Sequence, residues 1–90
     1  SPAARLEAGI LLRRLQKGEA LGMRHSRPMP AVGPHCHELR VRDGAAAWRV
    51  LYRVDADAVV ILEAFSKKTQ ATPKAVIDTC RNRLREYDRA

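Results

Sequence analysis

Cysteine, acidic side chains and long apolar runs are all scarce in this 90-residue chain. Two cysteines do not make a disulfide framework, so the composition fits a reducing cytoplasm. No apolar run approaches the roughly 20 residues that cross a bilayer, and the first residues lack the pattern of a secretory signal. We therefore expect one small cytoplasmic domain over residues 1–90, without membrane contact.

The shortage of acids leaves a net charge of +7, with 17 Lys and Arg against 10 Asp and Glu. Residues 1–35 carry +4, residues 36–65 carry −1 and residues 66–90 carry +4. A basic excess of this kind indicates a polyanion partner, although a basic surface with solvated side chains has the same composition.

Helical spacing of apolar residues predicts a first helix from Ser1-Pro2 to Lys17-Gly18, where the glycine would cap the C-terminus. A short second helix over Glu19–Met23 would make a helical hairpin, and residues 25–34 read as a loop. A final helix is predicted from Pro73 to about Arg89. Its apolar stripe contains Val76, Ile77, Cys80, Leu84 and Tyr87.

Alternation of apolar and polar residues predicts strands over 36–42 and 48–54, joined by a turn at Asp43-Gly44. The apolar stretch 58–65 predicts a third strand that is covered on both faces. Short turns favour an antiparallel meander. The predicted fold is α+β, with an antiparallel sheet of at least three strands, an N-terminal helix or helical hairpin, and a C-terminal helix.

Two patterns in this scheme suit phosphate binding. Alternation places Arg40, Arg42, Arg49 and Arg53 on one side of adjacent strands, and guanidinium groups donate bidentately to phosphate. After the third strand, Lys67-Lys68 occupies a basic turn, and Thr72-Pro73 reads as an N-cap and first helical residue. Helix N-termini supply N–H donors to anions.

A metal site is not expected. His35-Cys36-His37 contains metal-binding residue types, but adjacent strand residues point to opposite faces, so Cys36 and His37 would not share one ion. Cys80 falls on the apolar stripe of the last helix and reads as a small buried hydrophobe. We expect no cofactor.

These residues also resemble a known family. Glu38-Leu39-Arg40, Arg49-Val50-Leu51-Tyr52, the basic turn and the Thr72-Pro73 helix start are similar in order and spacing to the RelE/ParE superfamily of bacterial type II toxins, closest to the phage-derived, HigB-like branch. The segment 1–33, with Arg-Pro-Met-Pro-Ala-Val-Gly, is similar to the same branch.

The resemblance implies a RelE-like toxin that cleaves mRNA on the ribosome, with the RNA 2′-hydroxyl as nucleophile, and that is neutralised by a cognate antitoxin, often a helix-turn-helix protein. By position, Arg40, Arg49, Lys67 and Lys68 match the places where family members hold the RNA backbone. From these and the patterns above, we predict Arg49, Lys67 and Lys68 as catalytic residues. The predicted RNA-binding residues are Arg40, Arg42, Arg53, Lys74 and Arg81. Arg49 would stabilise transition-state charge and Lys67 would transfer a proton.

Family members usually begin with a further β-strand, which this sequence lacks. That difference predicts an exposed sheet edge, which a second copy could fill to form a homodimer. It also keeps open a truncated, non-catalytic member that only binds antitoxin or nucleic acid. A gyrase inhibitor of the ParE type is the third possibility.

Overall fold

The structure, a computed structural model, describes residues 2–22, 25–67 and 71–90, with the backbone alone at Lys67. The elements, in chain order, are α1 (Pro2–Gln16), β1 (Ser26–Pro28), β2 (Cys36–Asp43), β3 (Ala46–Val54), β4 (Val59–Lys67) and α2 (Lys74–Arg89). The predicted α+β class is confirmed. Within those residues, no helix is both long and apolar enough to span a membrane.

The four strands form one antiparallel meander in the order β1-β2-β3-β4. The three predicted strands are present with slightly different ends. Asp43 pairs with Ala46 across a tight turn, where Gly44 takes the positive φ of 64° that glycine adopts without a Cβ clash. Arg40 lies directly opposite Arg49 in the β2–β3 register.

Each face of the sheet packs against one helix. On the α1 face, Leu39, Val41, Val50 and Tyr52 form a buried cluster with Ala4, Leu11 and Leu15 of the helix. On the α2 face, Cys36, Leu51 and Leu62 pack against Cys80 and Leu84. Because side chains alternate along a strand, Glu38, Arg40, Arg42, Arg49 and Arg53 all belong to the α2 face.

The end of α1 is as predicted. Gly18 has φ of 86°, and the N–H of Glu19 donates to the Arg14 carbonyl at 3.1 Å, which is a Schellman closure. The predicted helix over residues 19–23 is wrong for the described part, because residues 19–22 are not helical. Met23, the last residue of that prediction, lies outside the described residues.

Three further predictions differ from the structure. Residues 26–28 pair with β2 as a short edge strand, although the three prolines and the glycine of residues 25–34 favoured a loop. The strand β4 is not covered on both faces, since Ile61 is 49% exposed. Helix α1 packs over β2, so the same face of the sheet is left open at β4, where Ile61 lies. Tyr87 is exposed rather than part of the α2 core stripe.

The start of α2 also differs. The helix begins at Lys74, with Pro73 as its N-cap residue and no side-chain cap. Thr72 is not the cap, because its hydroxyl donates to Glu38 on the sheet at 2.6 Å. This bond attaches the chain just before α2 to the α2 face. It defines one side of the site described next.

Candidate functional site

Two arginines face each other at the centre of the candidate site. Arg40 of β2 and Arg49 of β3 are Cα partners, so their Cβ atoms lie about 5 Å apart on the α2 face. Arg42 lies on the same face two residues further along β2, opposite Ala47. We call these three residues the arginine cluster. Arg42 is exposed and makes no ion pair with a described residue.

A buried carboxylate holds one side of this cluster. Glu38 is fully buried, and its Oε1 accepts hydrogen bonds from Arg49 Nη1 at 2.8 Å and from Arg27 Nε at 3.2 Å. Its Oε2 accepts the Thr72 hydroxyl. Arg49 is only 4% exposed. Ion pairing and the added hydrogen bond offset the desolvation of the carboxylate.

The two ends of the predicted basic turn lie on either side of the Arg40–Arg49 pair. The backbone of Lys67 pairs with Ala47, which is two residues from Arg49 along β3. Thr72 contacts Glu38, which lies on the other side of Arg40. Lys68, proposed from sequence as catalytic, lies outside the described residues, as does the side chain of Lys67. The turn therefore begins and ends beside the arginine cluster.

Arg53 lies on the same face but at the opposite end of β3, four residues from Arg49, or about 13 Å along the strand. Its Nε donates to Asp55 at 2.7 Å and its Nη2 donates to Asp88 of α2 at 2.7 Å. The guanidinium also lies 5.8 Å from the centre of the Tyr87 ring. The hydrogen bonds that Arg53 donates, first to Asp88 and then to Asp55, raise the pKa of Arg53, and the bond to Asp88 lowers the pKa of that carboxyl. This contact joins α2 to the sheet.

The two remaining RNA-binding candidates lie on α2. Lys74 is the first residue of the helix and forms an exposed ion pair with Asp78 at 3.2 Å. Arg81 follows the buried Cys80 in the helix, is exposed, and makes no ion pair with a described residue. The structure thus brings Arg40, Arg42 and Arg49 together. Lys74 follows two residues after Thr72, which contacts the same face of the sheet. Arg53 belongs to a separate cluster.

The sequence of the chain also matches a known protein family. The model of the family described as phage-derived protein Gp49-like (DUF891) matches residues 1–85. The chain belongs to the Gp49-like family. This family falls in the RelE/toxin-like group, which agrees with the resemblance at that level. No curated protein and no solved structure matches the chain.

In this Gp49-like chain, sequence reasoning missed Glu38, Arg27 and Thr72. The signal for Glu38 was an acid on the same alternating face as four arginines, where cross-strand ion pairs are favourable. Arg27 lay in a segment interpreted as a loop. Thr72 had been assigned to helix capping.

The described residues contain no group of three or more His, Cys, Asp and Glu side chains that could hold a metal ion. Cys80 is buried, as predicted, and burial raises the pKa of its thiol to about 11. The arrangement is therefore an arginine cluster beside a basic turn. Such a surface can bind phosphate and stabilise added negative charge on it.

Proposed function

We propose that this Gp49-like protein is the toxin of a type II toxin–antitoxin system and cleaves mRNA on the ribosome. The observation that carries the proposal is the direct opposition of Arg40 and Arg49, with Arg42 exposed beside them, between the two ends of the basic turn. Like charges in direct opposition are unfavourable in a sheet unless an anion offsets them. Glu38 supplies one negative charge through its pair with Arg49, and the exposed Arg42 beside the pair is accessible to an RNA phosphate.

In the proposed reaction the 2′-oxygen of the RNA attacks the adjacent phosphorus, and the bond to the 5′-oxygen breaks. A base removes the proton of the 2′-hydroxyl, and an acid protonates the departing 5′-oxygen. Arg49 would stabilise the added charge on the phosphate. We assign proton transfer to Lys67, and phosphate positioning to Arg40 and Lys68.

Arg42, Lys74 and Arg81 would hold the RNA backbone on either side of the cleaved bond. We leave Arg53 out of this set because its side chain is only 17% exposed and is bound by both Asp55 and Asp88, whereas Lys74 is 89% exposed beside its one partner, Asp78. The proposed partners are translated mRNA and a cognate antitoxin. If the protein forms a homodimer, the edge strand β4 is where a second copy would pair.

One observation favours a second candidate, a non-catalytic protein that binds antitoxin or nucleic acid only. Arg49 is nearly inaccessible and already donates to Glu38 at 2.8 Å. A buried arginine with a carboxylate partner has less capacity to follow charge that develops on a substrate. The two candidates differ in whether RNA is cut.

The test is primer extension on mRNA during cell-free translation, with the purified chain added. We expect cleavage by the wild type, about tenfold slower cleavage by Arg42→Ala, and no cleavage by Lys67→Ala. Arg89→Ala is the matched control, because Arg89 is also an exposed arginine but lies in the last turn of α2. It should cut at the wild-type rate.

Intact mRNA with salt-sensitive RNA binding would support the non-catalytic candidate and overturn the nuclease proposal. Inhibition of gyrase supercoiling without mRNA cleavage would favour the ParE-type alternative. Equal loss of cleavage in Arg42→Ala and Arg89→Ala would show that general charge, rather than the arginine cluster, determines activity.

A further inference from the structure

Helix α1 has a second apolar face, directly opposite the one that packs on the sheet. Ala4, Leu11 and Leu15 point into the core, whereas Leu6 is 68% exposed and Ile10 is 54% exposed. Leu6 and Ile10 are four residues apart, so they are neighbours on one helical face. A helix that is apolar on two sides normally packs on two sides. Only the inner side is covered by the described residues.

The same outward face is strongly basic. A groove of about 470 Å³ runs along it, lined by Arg5, Leu6, Gly9, Ile10, Arg13, Arg14 and Lys17. Gly9 has no atom within 4 Å of the position its Cβ would take, so the middle of the groove is low and open. Arg14 lies 3.5 Å from Glu19, but Arg5, Arg13 and Lys17 make no ion pair with a described residue.

Stabilisation of α1 itself explains only part of this pattern. Cations in the last turn interact favourably with the helix dipole, which accounts for Arg13 and Arg14. Arg5 lies in the first turn, where a cation is unfavourable and where the helix has no acidic residue. The dipole also does not explain two large aliphatic side chains in water.

We propose that the outward face of α1 binds an acidic amphipathic helix of a partner protein. Leu6 and Ile10 would pack against an apolar seam of that helix, and its backbone would approach most closely at Gly9. Asp and Glu on both sides of the seam would pair with Arg5, Arg13 and Lys17. This surface lies on the opposite side of the sheet from the arginine cluster, so the inference is independent of the proposed nuclease function.

Other occupants fit the same observations less well. A nucleic acid would use the cations but would leave Leu6 and Ile10 without apolar contacts. An anionic membrane would receive only two aliphatic side chains, because the rest of the apolar surface of α1 is in the core. A second copy of this chain would bring another net charge of +7 to a basic surface.

The test uses a fluorescein-labelled helical peptide of three heptads, with leucine at the first and fourth positions and glutamate beside that seam. Fluorescence anisotropy should show binding to the full chain, and no binding of the same peptide with lysine in place of glutamate. Leu6→Ala with Ile10→Ala should weaken binding at least about tenfold. Ile61→Ala is the matched control, because Ile61 is 49% exposed but lies on β4.

A charge exchange separates recognition from folding. The variant Arg13→Glu with Lys17→Glu should no longer bind the glutamate peptide and should bind the lysine peptide instead. An unfolded variant would bind neither peptide. Arg89→Glu, in the last turn of α2, should leave binding unchanged.

Three results would overturn the proposal. The first is absence of binding by the glutamate peptide, or binding that does not depend on Leu6 and Ile10. The second is equal or tighter binding, through the same residues, to single-stranded RNA or to vesicles of equal parts phosphatidylcholine and phosphatidylglycerol. The third is a dimer in light scattering that the Leu6→Ala, Ile10→Ala variant abolishes.

Discussion

At the scale of single residues, Glu38 determines how the α2 face is organised. A carboxylate with no exposure to water is unfavourable unless several donors surround it. Arg27, Arg49 and Thr72 supply those donors from β1, from β3 and from the segment before α2. One buried acid therefore links three parts of the chain and fixes the Arg49 guanidinium.

We predict a large coupling energy between Glu38 and Arg49. Arg49→Met alone should destabilise the protein by about 3–5 kcal/mol, because it leaves a buried charge with one of its partners missing. Glu38→Met together with Arg49→Met should lose much less than the two single changes added together. Urea denaturation of the four proteins in this double-mutant cycle measures the coupling. Additive losses would mean that the pair does not stabilise the fold as a unit.

His37 makes the stability of the protein depend on pH. Its ring stacks on Tyr52 with 5.5 Å between centroids, and burial, followed by the charge of His35, lowers its pKa below 6.5. The folded protein therefore binds this proton less readily than the unfolded chain. The contribution of His37 to stability is full above the unfolded pKa and is lost as the pH falls from there towards the folded pKa.

We predict that His37→Phe reduces the fall in Tm between about pH 7.5 and about pH 5. Phenylalanine keeps a ring on Tyr52 but has no proton to bind. Thermal melts of wild type and variant across this interval provide the measurement, and acidic groups that titrate in both proteins cancel in the comparison. An unchanged pH dependence would mean that His37 titrates alike in the folded and unfolded states.

At the scale of elements, the short strand β1 depends on its contacts with the rest of the sheet. Its three residues pair with β2, and the buried Ser26 hydroxyl lies 2.5 Å from the Tyr52 hydroxyl of β3. A three-residue strand with a proline has little intrinsic preference for the extended state. The Ser26–Tyr52 contact, which lies on the α1 face, therefore helps to hold β1 in the sheet.

We predict that Tyr52→Phe destabilises the protein by about 1–3 kcal/mol, because it leaves the buried Ser26 hydroxyl without this partner. Adding Ser26→Ala should recover most of that loss, since both polar groups are then absent. Guanidinium denaturation measures both variants. A double variant as unstable as the single one would show that the phenol oxygen matters for packing rather than for this bond.

Elements with a strong periodic pattern could be predicted from the sequence, and elements that depend on distant contacts could not. Alternation located β2 and β3, and Gly18 marked the end of α1. The same alternation put Arg40 and Arg49 on one face, which the register confirms. The role of Thr72 was not predictable, because its partner Glu38 is 34 residues away. The exposure of Ile61 follows from where α1 packs, which no local pattern encodes.

At the scale of the whole molecule, two arginines on the same sheet face differ in their surroundings. Arg42 is exposed and makes no ion pair with a described residue, whereas Arg53 is held by Asp55 and Asp88. Each of the two arginines contributes one positive charge to the net charge, so the net charge does not distinguish them. A contact with phosphate releases counterions only where the cation is accessible to it.

We predict that single-stranded RNA binding weakens steeply with salt, and that Arg42→Gln reduces the slope of log K against log salt by about 0.7, the value for one lost phosphate contact. Arg53→Gln with Asp88→Asn keeps the net charge of +7 and should leave the slope unchanged. Filter binding over a range of salt concentrations measures all three proteins. A flat wild-type slope would exclude phosphate contacts as the basis of binding. An equal change in both variants would mean that RNA contacts the Arg53 end of the sheet as well as the arginine cluster.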